Sequence, residues 1–227
     1  MTIMSTIADI RKSMPKDKNN YDRWGNPAAY FLARPISYPI TVLFVSLGLS
    51  ANFASLTSIA FALAATLAAA LNFPAWIVAG MILLWLTLDC VDGNIARFTK
   101  TGSRQGEFLD AIGGYVITAG LYIGIGYGSG HQNTLLLGSI ASIFSILSRL
   151  ILNKSNVLLG VQRNSSGDTG SGWKAQWALS IYNLSGIGLF LTYLALQFKE
   201  PTTFLLFQAL LGGILTVATA ASAWKKL

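Results

Sequence analysis

The chain has 227 residues, of which 53 % are hydrophobic and only 11 % charged, and its mean hydropathy is +0.54. That composition excludes an ordinary soluble domain and points to an integral membrane protein. The formal net charge of +7 comes from basic residues that lie outside the apolar runs or at their ends, which marks membrane orientation and argues against nucleic-acid binding.

Residues 1–50 are expected to form a cytoplasmic tail and an interfacial helix. An amphipathic stretch with Tyr21, Trp24, Tyr30 and Phe31 leads into an apolar run from Ile36 to Leu49, which is short for a span and lies among Arg34, Pro35 and Pro39. A seventh, short span is the alternative. The first apolar run follows a charged, proline-containing segment, so no cleavable signal peptide is expected. The single cysteine, Cys90, excludes an intrachain disulfide.

Residues 51–227 read as a six-helix membrane domain, since a span needs about 20 apolar residues. The expected spans are Asn52–Phe73, Ala75–Asp89, Phe108–Tyr127, Thr134–Leu152, Trp177–Phe198 and Phe204–Trp224. With both termini inside, all basic residues except Lys199 fall in the tail, the cytoplasmic connections or the C-terminus. That distribution follows the positive-inside rule. The most loop-like segment is NSSGDTGSG, residues 164–172. The fold class is therefore an all-α integral membrane protein, six transmembrane helices preceded by an N-terminal interfacial amphipathic helix.

Chemistry concentrates in DCVDGNIARFTKTGSRQGEFLDAIGG, residues 89–114, which holds four of the nine acidic residues. Helical spacing puts Asp89, Asp92 and Ala96 on one face, and Glu107, Asp110 and Gly114 on one face of the next helix. A short connection makes the two helices antiparallel neighbours, so these carboxylates converge at the inner membrane boundary. Carboxylates at membrane depth are costly and need a counter-charge. A hard divalent cation, Mg²⁺ or Mn²⁺, fits that need and also handles phosphate. Gly93 and Gly106 clear space for a bulky ligand, and Arg97 can offer a guanidinium fork to phosphate or a base. Lys100 and Arg104 strengthen the positive field at the mouth. Taken alone, Glu107 reads more plainly as a solvated flank.

The motif resembles the signature of the CDP-alcohol phosphotransferase (CDP-alcohol phosphatidyltransferase) family, DxxDGxxAR, eight residues, then GxxxDxxxD. Asp89, Asp92, Gly93, Ala96, Arg97, Gly106 and Asp110 fill it, and Gly114 stands where the family has its fourth aspartate. LGLSANFASLT is similar to the family's opening of the first span; Asn52 is kept, while Ala51 and Ser55 replace proline and threonine. The resemblance implies transfer of a substituted phosphate from a CDP-linked donor, such as CDP-diacylglycerol, to an alcohol, with release of CMP. It implies catalysis and metal binding by Asp89, Asp92 and Asp110. Asn52, Asp92, Gly93, Ala96, Arg97 and Gly106 would form the CDP site, in a homodimer facing the cytoplasm of a bacterial or archaeal cell.

In the family the fourth aspartate is placed for metal binding and as general base on the acceptor hydroxyl, roles glycine cannot fill. Four explanations stand. The acceptor is already anionic, such as a phosphomonoester, and needs no deprotonation; Glu107 substitutes; the protein is a silent relative that binds nucleotide or lipid; or another span supplies a ligand, although the fourth to sixth contain no Asp or Glu. Arg149 and Lys154 are candidates for an acceptor phosphate, or simple interfacial anchors. His131 falls on the outer side and is not expected in catalysis; Cys90 points off the aspartate face and is expected to pack. The glycines at 113, 114, 120, 124, 126 and 128 suit close helix contacts within the bundle or between subunits. An ion-coupled transporter is disfavoured, because every candidate ligand sits at one edge.

Overall fold

A computed structural model describes residues 3–160 and 173–226, and the loop-like segment at 164–172 lies outside them. Within the described residues the chain is helical, with no strand. Two short helices, α1 (Ile3–Lys12) and α2 (Lys16–Gly25), precede a π-helical turn (Ala29–Ala33) that runs directly into α3 (Arg34–Ser46). The long helices follow: α4 (Ala51–Ala70), α5 (Ala75–Thr99), α6 (Arg104–Gly128) and α7 (Gln132–Leu158). After α8 (Trp173–Ser180) and α9 (Gly188–Gln197), α10 (Pro201–Lys226) closes the chain.

Six segments among the described residues are long and apolar enough to cross a membrane: Ala29–Ser46, α4, α5, α6, α7 and α10. The number equals the expected one by length and composition, with Trp177–Phe198 absent from the set; Ala29–Ser46 keeps the place of the interfacial helix, since Lys18 before it, Arg34 near its start and Asn52 after it line one cavity. Ala29–Ser46 reaches 18 residues because the π-helical turn extends α3 backward. It packs at the motif end of the bundle, with Ile40, Phe44 and Val45 against Ala54, Val91 and Ile95. The expected span Trp177–Phe198 is instead broken between α8 and α9. Asn183, Ser185, Gly186 and Gly188 turn the backbone there, and the Asn183 carbonyl accepts from the amides of Gly186 and Gly188. The freed Ser185 carbonyl accepts from the Ala29 amide at 2.9 Å, and its hydroxyl donates to Asn26 Oδ1 at 2.6 Å. Docking against the N-terminal layer thus satisfies a break that lipid would not tolerate.

The second expected span also runs further than its hydropathy, through Asp92 and Arg97 to Thr99. Lys100, at φ 56°, caps it in the left-handed region, and Ser103 opens α6 by accepting from the Gly106 amide at 3.1 Å. Parallel helices α4 and α6 pack through small residues. A Cβ on Gly120 would stand 2.5 Å from Thr66 Oγ1, and one on Gly124 2.6 Å from the Thr66 carbonyl oxygen. These glycines, with Gly128 against Ala69, work inside the bundle. Gly126 packs on α7, and Gly113 on Ile59 of α4.

Candidate active site

The C-terminal end of α5 and the N-terminal ends of α4 and α6 surround a cavity of about 300 Å³. Asn52, Asp89, Asp92, Gly93, Ala96, Arg97, Gly106, Glu107 and Asp110 all line it. Asp89 and Asp92 of α5 and Asp110 of α6 line it from facing helices. Asp92 is buried, and its Oδ2 accepts from Ser55 Oγ at 2.6 Å. Ser55, where the family-like segment would carry threonine, thus orients a carboxylate.

Glycine at position 93 has a direct steric reason. A Cβ there would stand 2.9 Å from Arg97 Nη1, so the guanidinium can fold back along its own helix only over a bare backbone. Arg97 Nη2 donates to Asn94 Oδ1 at 2.9 Å, and Asn94 Nδ2 donates to Ser37 Oγ at 3.0 Å and Thr41 Oγ1 at 3.3 Å. This relay ties α3 to the arginine. Gly106 leaves room in the same way, since a Cβ would lie 3.3 Å from Asn52 Oδ1. The N-terminus of α6 reaches the cavity through Ser103 and Gly106, placing the positive end of a helix dipole beside it.

Lys18 of α2 and Arg34 of α3 complete the wall. Neither was legible as a site residue, because only the folded N-terminal layer brings them there; the same holds for Asn94, which lies between two motif positions. Arg34 is already paired with Asp22, the one ion pair seen among the described residues. Lys18 and Arg97 therefore face Asp89, Asp92, Glu107 and Asp110, an excess of acid. Among the described residues no three Asp, Glu, Cys or His side chains stand together closely enough to hold an ion. The oxygen-rich, uncompensated wall nonetheless fits a hard divalent cation in its donor chemistry.

Gly114 and Arg149 lie just beyond this lining. Gly114 is one helical turn past Asp110, about 6 Å along the axis, and a Cβ on it would stand 2.9 Å from Arg149 Nη1. A guanidinium thus occupies the space beside the position where an aspartate was expected. Inside the bundle, Ser145, Tyr122, Tyr182 and Gln208 are buried, and Tyr122 Oη and the Gln208 amide have no protein partner. Lys154 is exposed and does not line the cavity. His131 precedes α7 at the far end of α6, about 30 Å from Asp110 by helical rise. Cys90 is buried in the apolar core, as expected, and also forms part of the cavity wall.

The family model for CDP-alcohol phosphatidyltransferase matches residues 49–223, most of the chain. The chain belongs to this family. None of the curated proteins matches it. Membership makes the activity class phosphotransfer from a CDP-alcohol; the acidic residues of the cavity lie within the matched region, and Lys18 and Arg34 precede it. The apolar helices make it an integral membrane member.

Proposed function

We propose that the protein moves a substituted phosphate from a CDP-linked donor, CDP-diacylglycerol or a related CDP-alcohol, to an acceptor that carries its own negative charge. CMP is released, and the product belongs to phospholipid or related lipid-linked synthesis. One observation carries the choice of acceptor: Arg149 Nη1 beside Gly114. Where the family motif has a carboxylate to deprotonate an alcohol, this chain offers a cation and an open backbone.

In this reading Asp89, Asp92 and Asp110 are the carboxylates that would bind Mg²⁺ or Mn²⁺ together with the donor, and the ion would neutralise charge on the donor pyrophosphate. Gly93, Ala96, Arg97, Gly106 and Asn52 seat the CDP moiety, with Asn94 and Ser55 as positioning residues. Arg149 holds the acceptor so that an anionic oxygen attacks the donor phosphorus next to the lipid. A new P–O bond forms there, the bond to the CMP oxygen breaks, and CMP leaves with that electron pair. No proton has to be removed from the acceptor. Positioning and charge supply most of the rate. Glu107, exposed at the rim, serves as surface charge in this scheme.

The positive-inside pattern supports a cytoplasm-facing site with both termini on that side. The family resemblance favours a homodimer. Because the glycines at 120, 124 and 128 pack within the bundle, its interface would use another face.

Gly114→Asp tests the acceptor. The new carboxylate would pair with Arg149, and turnover with phosphomonoesters should fall about 10- to 100-fold. A large gain with a neutral alcohol would contradict the anionic acceptor.

A further inference from the structure

A second cavity, of about 380 Å³, lies in the N-terminal layer and has the opposite electrical character. Arg11, Lys16 and Arg34 line it together with Tyr30, Phe31 and Tyr38, and no acidic side chain does. The Arg11 guanidinium lies over the Tyr38 ring, 5.5 Å from its centroid, which holds the cation at the wall. Arg34 is only 5 % exposed; its Nη2 pairs with Asp22, Nη1 meets only the weak acceptor Met14 Sδ at 3.7 Å, and Nε has no partner. Arg34 is paired with Asp22 yet keeps an N–H without a partner, and with Arg11 and Lys16 it gives this cavity three cations and no carboxylate in its lining, which favours an anionic occupant. Beside the cavity Phe31 is 62 % exposed and Ile36 45 %. Such a rim suits acyl chains, with the cations a short distance away.

We propose that this cavity is a phosphate-binding site for an anionic phospholipid headgroup, separate from the acidic cavity. Basic pockets at the edge of a membrane bundle recognise phosphate through charge and guanidinium forks, and the aromatic walls exclude competing water. The site does not depend on the transfer reaction, since Arg11 and Lys16 lie outside the acidic cavity.

The test uses the full-length protein in neutral detergent with equimolar dioleoyl phosphatidylglycerol and dioleoyl phosphatidylcholine, counting bound lipids by native mass spectrometry. Phosphatidylglycerol should be preferred by about tenfold or more. The double variant Arg11→Ala/Lys16→Ala, at two exposed positions, should lose that preference, and the charge-matched Lys225→Ala/Lys226→Ala should keep it. A second arm follows thermal unfolding in millimolar inorganic phosphate. Protection that the Arg11/Lys16 variant loses would show the phosphate group alone to suffice; no protection with the lipid preference intact would assign the site to the lipid-borne group. Absence of a preference in the wild type, its survival in the Arg11/Lys16 variant, or its equal loss in the C-terminal variant would each overturn the proposal.

Discussion

Two cavities share Arg34 and differ in nearly everything else. The acidic one draws its carboxylates from continuous long helices, where residue spacing fixes their relative positions, and braces them with Ser55 and Asn94. The basic one is assembled from short helices, a π-helical turn and the start of α3, with cations brought together from distant points in the sequence. Spacing on a rigid helix suits a site that must hold reacting atoms in line, because small displacements cost rate. A pocket on short helices can recognise charge with looser geometry. The contrast suggests that chemistry sits on α4–α6 and that the N-terminal layer handles lipid.

Removing a carboxylate should break this division most severely. Asp89→Asn or Asp92→Asn is expected to lower CMP release by about 10²- to 10³-fold with protein still folded in detergent, as an electrostatic catalytic group would. Arg149→Gln comes next, raising KM for a phosphomonoester about 10- to 100-fold while kcat changes less. A fall in kcat with KM unmoved would make Arg149 structural instead. Ser55→Ala removes the 2.6 Å hydrogen bond to Asp92 and should reduce kcat/KM about tenfold, with Ser55→Thr restoring it. The smallest change concerns the scaffold: Gly124→Ala sets a methyl 2.6 Å from the Thr66 carbonyl oxygen and should cost about 1 to 3 kcal/mol of stability, read as a lower Tm. An unchanged Tm would mean that α4 and α6 do not depend on close approach.

The same contrast explains what was legible in the sequence. The motif residues from Asp89 to Asp110 share a cavity because helical periodicity alone puts them on facing surfaces. Spans α4, α6, α7 and α10 followed from hydropathy, but α5 outran its apolar stretch. Asp92, Asn94 and Arg97 find partners in Ser55, Ser37, Thr41 and each other, so polar residues did not end the helix. The α8–α9 break was signalled by Asn183, Ser185 and Gly186, yet the apolar residues around them outweighed that turn signal. Lys18 and Arg34 carried no local mark, since their place in the wall depends on how α2 and α3 fold over the bundle. The contact between Arg149 and Gly114 joins helices α7 and α6, a relation that neither helix's periodicity contains.

The most direct test is CMP release by the purified protein in nanodiscs, with CDP-diacylglycerol, Mg²⁺ or Mn²⁺, and parallel panels of phosphomonoester and neutral alcohol acceptors. Release should depend on the phosphomonoester and be lost in Asp89→Asn. Release with alcohols alone would contradict the role given to Gly114 and Arg149. No release with any pair, with metal-dependent CDP binding intact, would make the protein a family member that binds without turning over.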